Sequence, residues 1–334
     1  FSNSWSFHYY LICDREGAPV LATFFTCALW KDDMLAPVSV SVKFEKKRIK
    51  QPLYLTSKVL GMGSLFTEGE HCFINRDHLL WKEAVTVLLE ETEKLCQELS
   101  ADMLVFRDFH EDNELDQIFH NQGFMRVDMP ETAILQDLSS FNSIEQFMTL
   151  LSTRSKRHFS KEVLSFEKVY DIVIKTDLTD EEIKHCYQLY RNVKDRNFSV
   201  NTFTYSIKVF EKMINHPDWE FILLYLKKDI ESIQSNFPVG VMFCYKNGGY
   251  TYVPSLIGMD YEAQKFQLYR QLLYQTIKRA KELKFKKIDF GITASFEKRK
   301  LGATIISKIA YVQAKDNFSM ELMNTMQNEN RFKS

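Results

Sequence analysis

The chain has 334 residues, 45% of them hydrophobic and 26% charged, with a formal net charge of −1 at pH 7. This length is typical of about two domains. The 14% aromatic content excludes a disordered or collagen-like chain, and the balanced charge argues against a protein that coats nucleic acid non-specifically. The six scattered cysteines form no C-x-x-C pair, which favours a reducing compartment and predicts a cytoplasmic protein. No apolar stretch reaches the roughly 20 residues of a membrane span.

The first half begins with two apolar strands that predict a hairpin, one opened by Trp5-Ser-Phe7 and one at 19–24. The segment 31–75 is interpreted as an insertion. A long amphipathic helix then leads directly into a strand at 101–106. The start lacks a signal-peptide pattern and is expected to follow a cut inside a longer protein.

The second half repeats this order behind additional elements. A capping-box pattern at Thr179-Asp-Glu-Glu182 predicts the start of a helix. The predicted elements are a strand at 171–175, helices at 180–194 and 204–215, strands at 219–226, 238–243 and 251–256, a helix at 261–283, a strand at 287–290, a helix at 296–300 and a strand at 307–314. The repeated order indicates a duplicated unit. We therefore expect an incomplete first domain at 1–140, a connecting helix at 141–170 and a second domain at 171–334.

Three short stretches of the second half carry a family resemblance: Ile288-Asp-Phe-Gly291, Glu297-Lys-Arg-Lys-Leu-Gly-Ala303, and Gly258-Met-Asp260 ahead of Tyr269-Arg-Gln-Leu-Leu-Tyr274. With the element order, they resemble the tandem GNAT acyltransferases. Within that superfamily they are similar to the FemABX-type aminoacyltransferases and to the GNAT-like domains associated with BioF-type α-oxoamine synthases. The resemblance implies an α/β fold of the α+β type, with two GNAT-like acyl-CoA N-acyltransferase domains in tandem. The first of these lacks its leading strand and helices.

The resemblance also implies the activity of a bacterial, cytoplasmic acyltransferase of lipid metabolism. The donor would be a thioester of coenzyme A or of an acyl carrier protein, with no metal. The acceptor would be an amine-bearing small molecule, a long-chain base or a lipid precursor. An upstream PLP-dependent α-oxoamine synthase domain on the same chain is a further expected partner.

Two alternatives stay open. One is FemABX-like transfer from aminoacyl-tRNA to a peptidoglycan precursor, although the balanced charge argues against a large tRNA footprint. The other is a non-catalytic binding domain. It is suggested by residues 257–263, which lack the Q/R-x-x-G-x-G/A turn that holds the coenzyme A pyrophosphate in typical GNAT domains.

The glycine-rich stretch 61–73 is the most unusual part of the sequence. Glu68 and His71 are candidates for a general base that acts near neutral pH. Gly61 and Gly63 form a turn loosely similar to the missing pyrophosphate loop and are candidates for donor binding. The alternative is a hairpin with ordinary turn residues. A third metal ligand is not evident, so we predict no metal site.

The remaining candidates follow predicted strands. Asp289 either accepts a proton from the attacking amine or anchors the next loop, and Tyr252 either protonates the departing thiolate or packs within the sheet. Further candidates for binding the donor or the substrate are Asp108, Asp260, Lys298, Arg299 and Gly302. Proteins bind a phosphate with fixed cations together with backbone N–H groups, and Lys298, Arg299 and Gly302 are candidates for such a site. The alternative for these three residues is a solvated basic turn.

Overall fold

The computed structural model describes residues 5–67, 69–111, 113–227 and 236–315. The strands in these ranges are β1 Ser6–Cys13, β2 Pro19–Lys31, β3 Thr56–Met62, β4 Cys72–Ile74, β5 Met103–His110, β6 Met125–Leu135, β7 Tyr170–Lys175, β8 Trp219–Leu226, β9 Gly240–Asn247, β10 Thr251–Met259, β11 Lys287–Asp289 and β12 Thr304–Ala314.

The α-helices in the same ranges are α1 Val38–Arg48, α2 Trp81–Glu98, α3 Asp116–Asn121, α4 Ile144–Leu150, α5 Thr153–Phe159, α6 Ser165–Glu167, α7 Asp180–Lys194, α8 Ile207–Met213, α9 Leu268–Glu282 and α10 Ser295–Lys300. Short 3₁₀ segments lie at Leu138–Ser140 and Tyr261–Phe266, and a π-helical turn lies at Ser160–Leu164. None of the described helices is both long and apolar enough to cross a membrane.

The chain divides into two compact units. Unit 1 comprises the described residues of 1–130, 198–203 and 307–334, and unit 2 those of 131–197 and 204–306. These units do not coincide with the boundaries expected from the sequence. The segment 141–170 belongs to unit 2, and most of β12 belongs to unit 1 because it pairs antiparallel with β5, where Tyr311 lies opposite Phe106.

Unit 1 contains a mixed sheet covered by α2. The strands β1, β2 and β3 pair antiparallel in sequence, and α2 then leads to β5, which runs parallel to β3. The buried side chains of α2 recur every three or four residues, from Trp81 through Val85 and Leu88 to Cys96, and this stripe packs on a core that includes Phe25 and Phe106. The predicted hairpin and helix are thus confirmed, whereas β3 was missed inside the assumed insertion.

Unit 2 repeats the same connections. The strands β7, β8, β9 and β10 pair antiparallel, and α9 leads to β11, which runs parallel to β10. β11 also pairs antiparallel with the end of β6, where Ile288 lies opposite Leu135. The predicted capping box is confirmed, since Thr179 and Glu182 each bond the other's backbone at the start of α7. The predicted helix 261–283 is broken at Gln267, whose φ is 60°.

Candidate functional site

In unit 2 the parallel strands β10 and β11 stay paired for only two residues. Thr251 pairs with Lys287 and Tyr252 with Ile288, whereas the described part of β10 beyond Tyr252 is registered with β9 only. We call this separation the β10–β11 opening. A strand without a neighbour on one side presents unpaired backbone N–H and C=O groups there. The opening therefore offers backbone hydrogen-bonding groups at the carboxyl end of the parallel pair.

A β-bulge lies in β10 at this opening. Pro254 is registered with Cys244 and Leu256 with Phe243, so Ser255 between them has no counterpart on β9. A bulge bends a strand and redirects its backbone groups, and bulges are frequent beside active sites. Pro254 has no N–H to donate, as is usual for a proline placed at a bulge.

The amino end of α9 lies next to the carboxyl end of β10. Met259 pairs with Gly240, and a Cβ atom on Gly240 would stand only 2.7 Å from Leu268 Cδ1 in the first turn of α9. Asp260 caps the intervening 3₁₀ segment, because its Oδ1 accepts the N–H of Glu262 at 3.0 Å. The predicted substrate-binding residue Asp260 thus holds the turn, and the helix amino end that follows it favours a negative charge nearby.

A group of charged side chains joins α9 to α10. The Arg270 guanidinium holds Glu297 through two bonds, Nε to Oε2 at 2.8 Å and Nη2 to Oε1 at 3.1 Å. Lys300 Nζ lies 3.1 Å from Glu297 Oε1, and His158 Nε2 lies 3.6 Å from Oε2. Although burial alone would raise it, the pKa of Glu297 lies below its usual value because of Arg270 and Lys300. This ionised carboxylate stands where the resembled motif has an aromatic residue.

Asp289 anchors the turn after β11. Its buried Oδ1 accepts the backbone N–H of Gly291 at 2.9 Å and the hydroxyl of Thr132 at 3.2 Å. Of the two roles considered for Asp289, these bonds favour the structural one.

Lys298, for which the sequence predicts a phosphate contact, forms hydrogen bonds to backbone carbonyl oxygens. Its buried ammonium group donates to the carbonyl oxygens of Phe290 at 2.7 Å, Gly291 at 3.0 Å and Ile292 at 2.8 Å. Lys298 therefore stabilises the segment after β11.

Two other predicted binding residues lie around α10. Arg299 is exposed. Gly302 has a φ of 87° and donates its N–H to the Arg299 carbonyl at 3.0 Å, as a glycine that ends a helix does.

Tyr252 lies in the core of the unit 2 sheet. Its fully buried hydroxyl donates to Glu220 Oε1 at 2.6 Å, and Arg279 binds the same carboxylate through two bonds of 2.9 Å. Burial raises the pKa of Tyr252 far above its ordinary value. The phenol is thus held protonated beside the ion pair of Glu220 with Arg279, an arrangement that favours the packed-tyrosine alternative.

Unit 1 contains a cavity of about 410 Å³ that is lined by His71, Arg107 and Asp108 among others. We call it the His71 cavity. It lies where β3 ends while its parallel neighbour β5 continues, which is the position that corresponds to the opening in unit 2. Cys72 also lines it, and burial raises the pKa of this thiol to about 12, so the thiol is protonated at neutral pH.

Arg107 holds the chain together beyond the end of β3. Its Nε donates to the Met62 carbonyl at 3.1 Å, and its Nη2 donates to the carbonyls of Ser64, at 2.7 Å, and Thr67. The same Nη2 lies 3.1 Å from His71 Nε2. Because guanidinium is always a donor, Nε2 acts as the acceptor and the imidazole is neutral, with its proton assigned to Nδ1.

Asp108 lies beside this contact in an unusual backbone conformation, with a φ of 70°. Its Oδ2 is 3.4 Å from His71 Nε2 and 3.2 Å from Arg107 Nε. The single Nε2 lone pair cannot accept from Arg107 while Nε2 also donates to Asp108, and the Arg107 contact is the shorter. Among the described residues, none gives Oδ2 a hydrogen bond of acceptable geometry.

The ionisation states of this pair follow from their surroundings. Burial, followed by the charge of Arg107, lowers the pKa of His71 below its usual 6.5, against the opposing effect of Asp108. Burial alone would raise the pKa of Asp108, but the charge of Arg107 holds it below its usual value. At neutral pH the cavity therefore contains a neutral imidazole and a carboxylate.

The glycine-rich stretch places its glycines for packing against rings. Gly63 has a φ of 72°, and a Cβ atom there would stand 2.4 Å from Cδ2 of the His71 ring. A Cβ atom on Gly61 would stand 2.6 Å from Cζ2 of Trp30. Glu68 lies outside the described residues. The structure thus brings Gly63 and His71 of the glycine-rich stretch together with Asp108, which was chosen separately from the sequence.

The importance of Arg107 was not predicted from the sequence, where its only signal was a charged pair ending an apolar strand. The role of Glu220 was not predicted either, because a carboxylate inside a strand pattern does not reveal its partner Arg279. The described residues contain no group of three or more His, Cys, Asp or Glu side chains arranged to hold a metal ion.

Comparison with known proteins gives a family match and a set of similar folds. Residues 153–299 match the family described as the acetyltransferase (GNAT) domain. The chain is similar to FemX, with 13% identity, a TM-score of 0.61, and coverage of 98% of this chain and 91% of that chain. It is also similar to L-PGS from Bacillus licheniformis, with 12% identity, a TM-score of 0.57, and coverage of 95% and 88%.

A further similar structure is Saccharomyces cerevisiae N-myristoyltransferase with bound myristoyl-CoA and inhibitors, with 8% identity, a TM-score of 0.51, and coverage of 91% of this chain and 67% of that chain. No curated protein matches the chain by sequence. At these identities the likeness establishes the fold alone, and it confirms the α/β class predicted from the sequence.

Proposed function

We propose that the chain transfers an acyl group from a thioester to an amine, with the donor bound in the β10–β11 opening, because residues 153–299 match the acetyltransferase (GNAT) domain family. Acyl transfer is the general activity of that family. The proposal adds the position of the donor, the thioester chemistry and the amine acceptor.

The observation that carries the proposal is the early separation of β10 from β11. β10 continues for seven residues beyond its last pairing with β11, as far as Met259. An extended ligand with amide groups can add to such a strand edge through backbone hydrogen bonds. The pantetheine arm shared by coenzyme A and acyl carrier protein is a ligand of this kind.

The bulge supplies the second element of the chemistry. When an amine attacks a thioester carbonyl, the carbonyl oxygen becomes an oxyanion, and backbone N–H groups placed in advance stabilise it. The intermediate then collapses, the C–S bond breaks, the amine nitrogen releases a proton and the departing thiolate takes one up. Ser255 has no counterpart on β9, so its N–H is the strand donor we assign to the oxyanion.

The substitution Ser255→Pro removes this N–H, and Ser255→Ala keeps it. We expect Ser255→Pro to lower turnover by about 100-fold, as loss of one oxyanion donor does, and Ser255→Ala to stay within a few-fold of the native chain. The assay measures thiol release from acetyl-coenzyme A, a long-chain acyl-coenzyme A and an acyl carrier protein thioester, each with and without a primary amine. Circular dichroism and thermal melting of both variants check that each is folded.

The second candidate is transfer from aminoacyl-tRNA, as in the FemABX-type enzymes. It is favoured by the exposed cations Arg154 and Arg157 on α5, which packs against α10 with its exposed Arg299. Such cations attract nucleic-acid phosphates. Aminoacyl-tRNA is therefore a fourth donor in the assay. Consumption of this donor alone would refute the thioester assignment, and consumption of none would favour a non-catalytic binding domain.

A further inference from the structure

An exposed apolar surface lies on unit 1. The outward side chains of β1 are exposed to an unusual extent, with Phe7 at 52%, Tyr9 at 78% and Leu11 at 66%, and Phe73 on β4 is 57% exposed. We call these four residues the β1 face. Large exposed apolar surfaces on globular proteins mark places where another molecule binds.

The β1 face continues to the His71 cavity. Across the sheet Leu11 lies opposite Ala22, and Ala22 lies opposite Phe73, which itself lines the cavity. Directly opposite residues of antiparallel strands project from the same face, so these three side chains form one row.

A second row runs beside the first. Tyr9 stacks on Phe24 with ring centroids 6.0 Å apart, and the Phe24 ring meets the His71 ring edge-on at 5.8 Å. The apolar surface therefore reaches the polar cavity along two adjacent rows.

The His71 cavity contains an acceptor that requires a donor. Asp108 is 95% buried, lines the cavity, and its Oδ2 has no hydrogen bond from any described residue. Leaving a buried carboxylate oxygen without a donor is costly. The neighbouring Arg107 Nε forms an ion pair with Oδ2 at 3.2 Å, but it donates its hydrogen to the Met62 carbonyl, so Oδ2 still lacks a hydrogen-bond donor among the described residues.

The groups that line the cavity also favour a cationic ligand, although the buried Lys308 ammonium donates to the Asp108 carbonyl oxygen at 3.2 Å. Its lining residues include the carboxylates of Glu70, Asp108 and Glu114 against the guanidinium groups of Arg76 and Arg107. Counted over carboxylate and guanidinium groups alone, the described lining carries an excess of one negative charge. An anionic ligand would leave Asp108 Oδ2 without a donor and would add a like charge to the cavity, whereas an ammonium group supplies up to three N–H donors.

We infer that unit 1 binds a primary alkylammonium amphiphile, with its ammonium head on Asp108 in the His71 cavity and its hydrocarbon chain on the β1 face. The inference goes beyond the proposed function and does not rest on it. The binding itself depends on unit 1 alone.

The test is calorimetric titration of the full chain with decylamine below its micellar concentration, compared with butylamine, decanol and decanoate. Butylamine lacks six methylene groups, and partial burial of these on the β1 face predicts binding weaker by on the order of 50-fold. Decanol and decanoate have the long hydrocarbon chain but lack the ammonium group, and both are expected to bind at least 10-fold more weakly than decylamine. Equal binding of decanoate would overturn the inference.

Substitutions distinguish the contribution of the ammonium head to binding from that of the hydrocarbon chain. Asp108→Asn removes the charge while keeping a residue that tolerates positive φ, and it is expected to weaken decylamine binding at least 10-fold and decanol binding hardly at all. Phe73→Ser is expected to reduce the preference for decylamine over butylamine. The matched control is Ile49→Ser, because Ile49 is 81% exposed just after α1 and lies outside the β1 face.

The inference would be overturned if Asp108→Asn left the affinity for decylamine unchanged. It would also be overturned if Ile49→Ser reduced the preference for decylamine over butylamine as much as Phe73→Ser does. Melting curves of all three variants confirm that they are folded. The Ser255→Pro chain distinguishes the two proposals, because it is expected to lose transfer yet bind decylamine with native affinity. Binding without any amine-dependent transfer would refute the proposed function and leave the binding inference intact.

Discussion

Replacing Gly63 by alanine tests whether the His71 ring is held where the structure places it. Gly63 combines two demands, a φ of 72° and a position where a Cβ atom would stand 2.4 Å from His71 Cδ2 and 2.7 Å from Nε2. The ring cannot move aside freely, because it is buried and bonded to Arg107 at 3.1 Å. The alanine methyl group therefore forces either the loop or the imidazole out of place.

The magnitude follows from two contributions. The left-handed conformation costs a non-glycine residue about 1–2 kcal/mol. Displacing the ring removes the hydrogen bond from the Arg107 guanidinium, and a hydrogen bond to a charged group contributes about 1.5–3 kcal/mol. We expect Gly63→Ala to lower the free energy of unfolding by about 3–4 kcal/mol.

Two other glycines in unit 1 provide matched controls. Gly17 has a φ of 87° with nothing within 4 Å of its Cβ position, so Gly17→Ala isolates the backbone cost of about 1–2 kcal/mol. Gly61 has no positive φ, and its Cβ position is 2.6 Å from Trp30 Cζ2, so Gly61→Ala isolates an overpacking cost of about 1–3 kcal/mol. The measurement is urea unfolding followed by tryptophan fluorescence and far-ultraviolet circular dichroism. A Gly63→Ala cost no greater than that of Gly17→Ala would refute the described packing of His71.

Two further predictions concern buried charge. Lys298→Met leaves three carbonyl oxygens without their donor and is expected to lower the free energy of unfolding by about 3 kcal/mol. The control is Arg299→Met at the exposed neighbouring residue, which is expected to change the free energy of unfolding by no more than about 0.5 kcal/mol. Equal effects of the two substitutions in the same urea assay would contradict the buried position of the Lys298 ammonium group. The second concerns pH. The folded-state pKa of His71 lies below the usual 6.5, so the unfolded chain binds an additional proton at this residue as the pH falls through about 6.5. His71 therefore stabilises the fold above this pH, and its contribution is lost below it. The stability of the native chain relative to His71→Gln is then expected to fall between pH 7 and 5 with a slope of at most about 1.4 kcal/mol per pH unit, and a difference that rises instead would show that the imidazole is charged in the fold.

The order of elements was accessible from the sequence because it depends on local patterns. The apolar stripe of α2, the capping box at Thr179 and the alternation in the two hairpins each arise from residues close together in the chain, and local packing preferences determine them. The repeat of these patterns was enough to predict a duplicated α/β unit.

The strand β3 shows where local patterns are insufficient. Its residues lie inside the segment interpreted as an insertion, and they form a strand because β2 and β5 flank them on both sides. β12 is similar, since it is paired with β5 about 200 residues earlier in the chain. Pairing across such distances depends on tertiary packing, which no local pattern records.

The sequence alone determined the repeated unit, the helices and the types of residue available for chemistry, because propensity and periodicity act over a few residues. What those residues do depends on the folded chain. It buried Lys298 against carbonyl oxygens and Tyr252 against Glu220, and it joined His71 to Asp108, which is 37 positions away. The reason is physical, since a charged group acts according to its partners and its burial, and only the folded chain sets these.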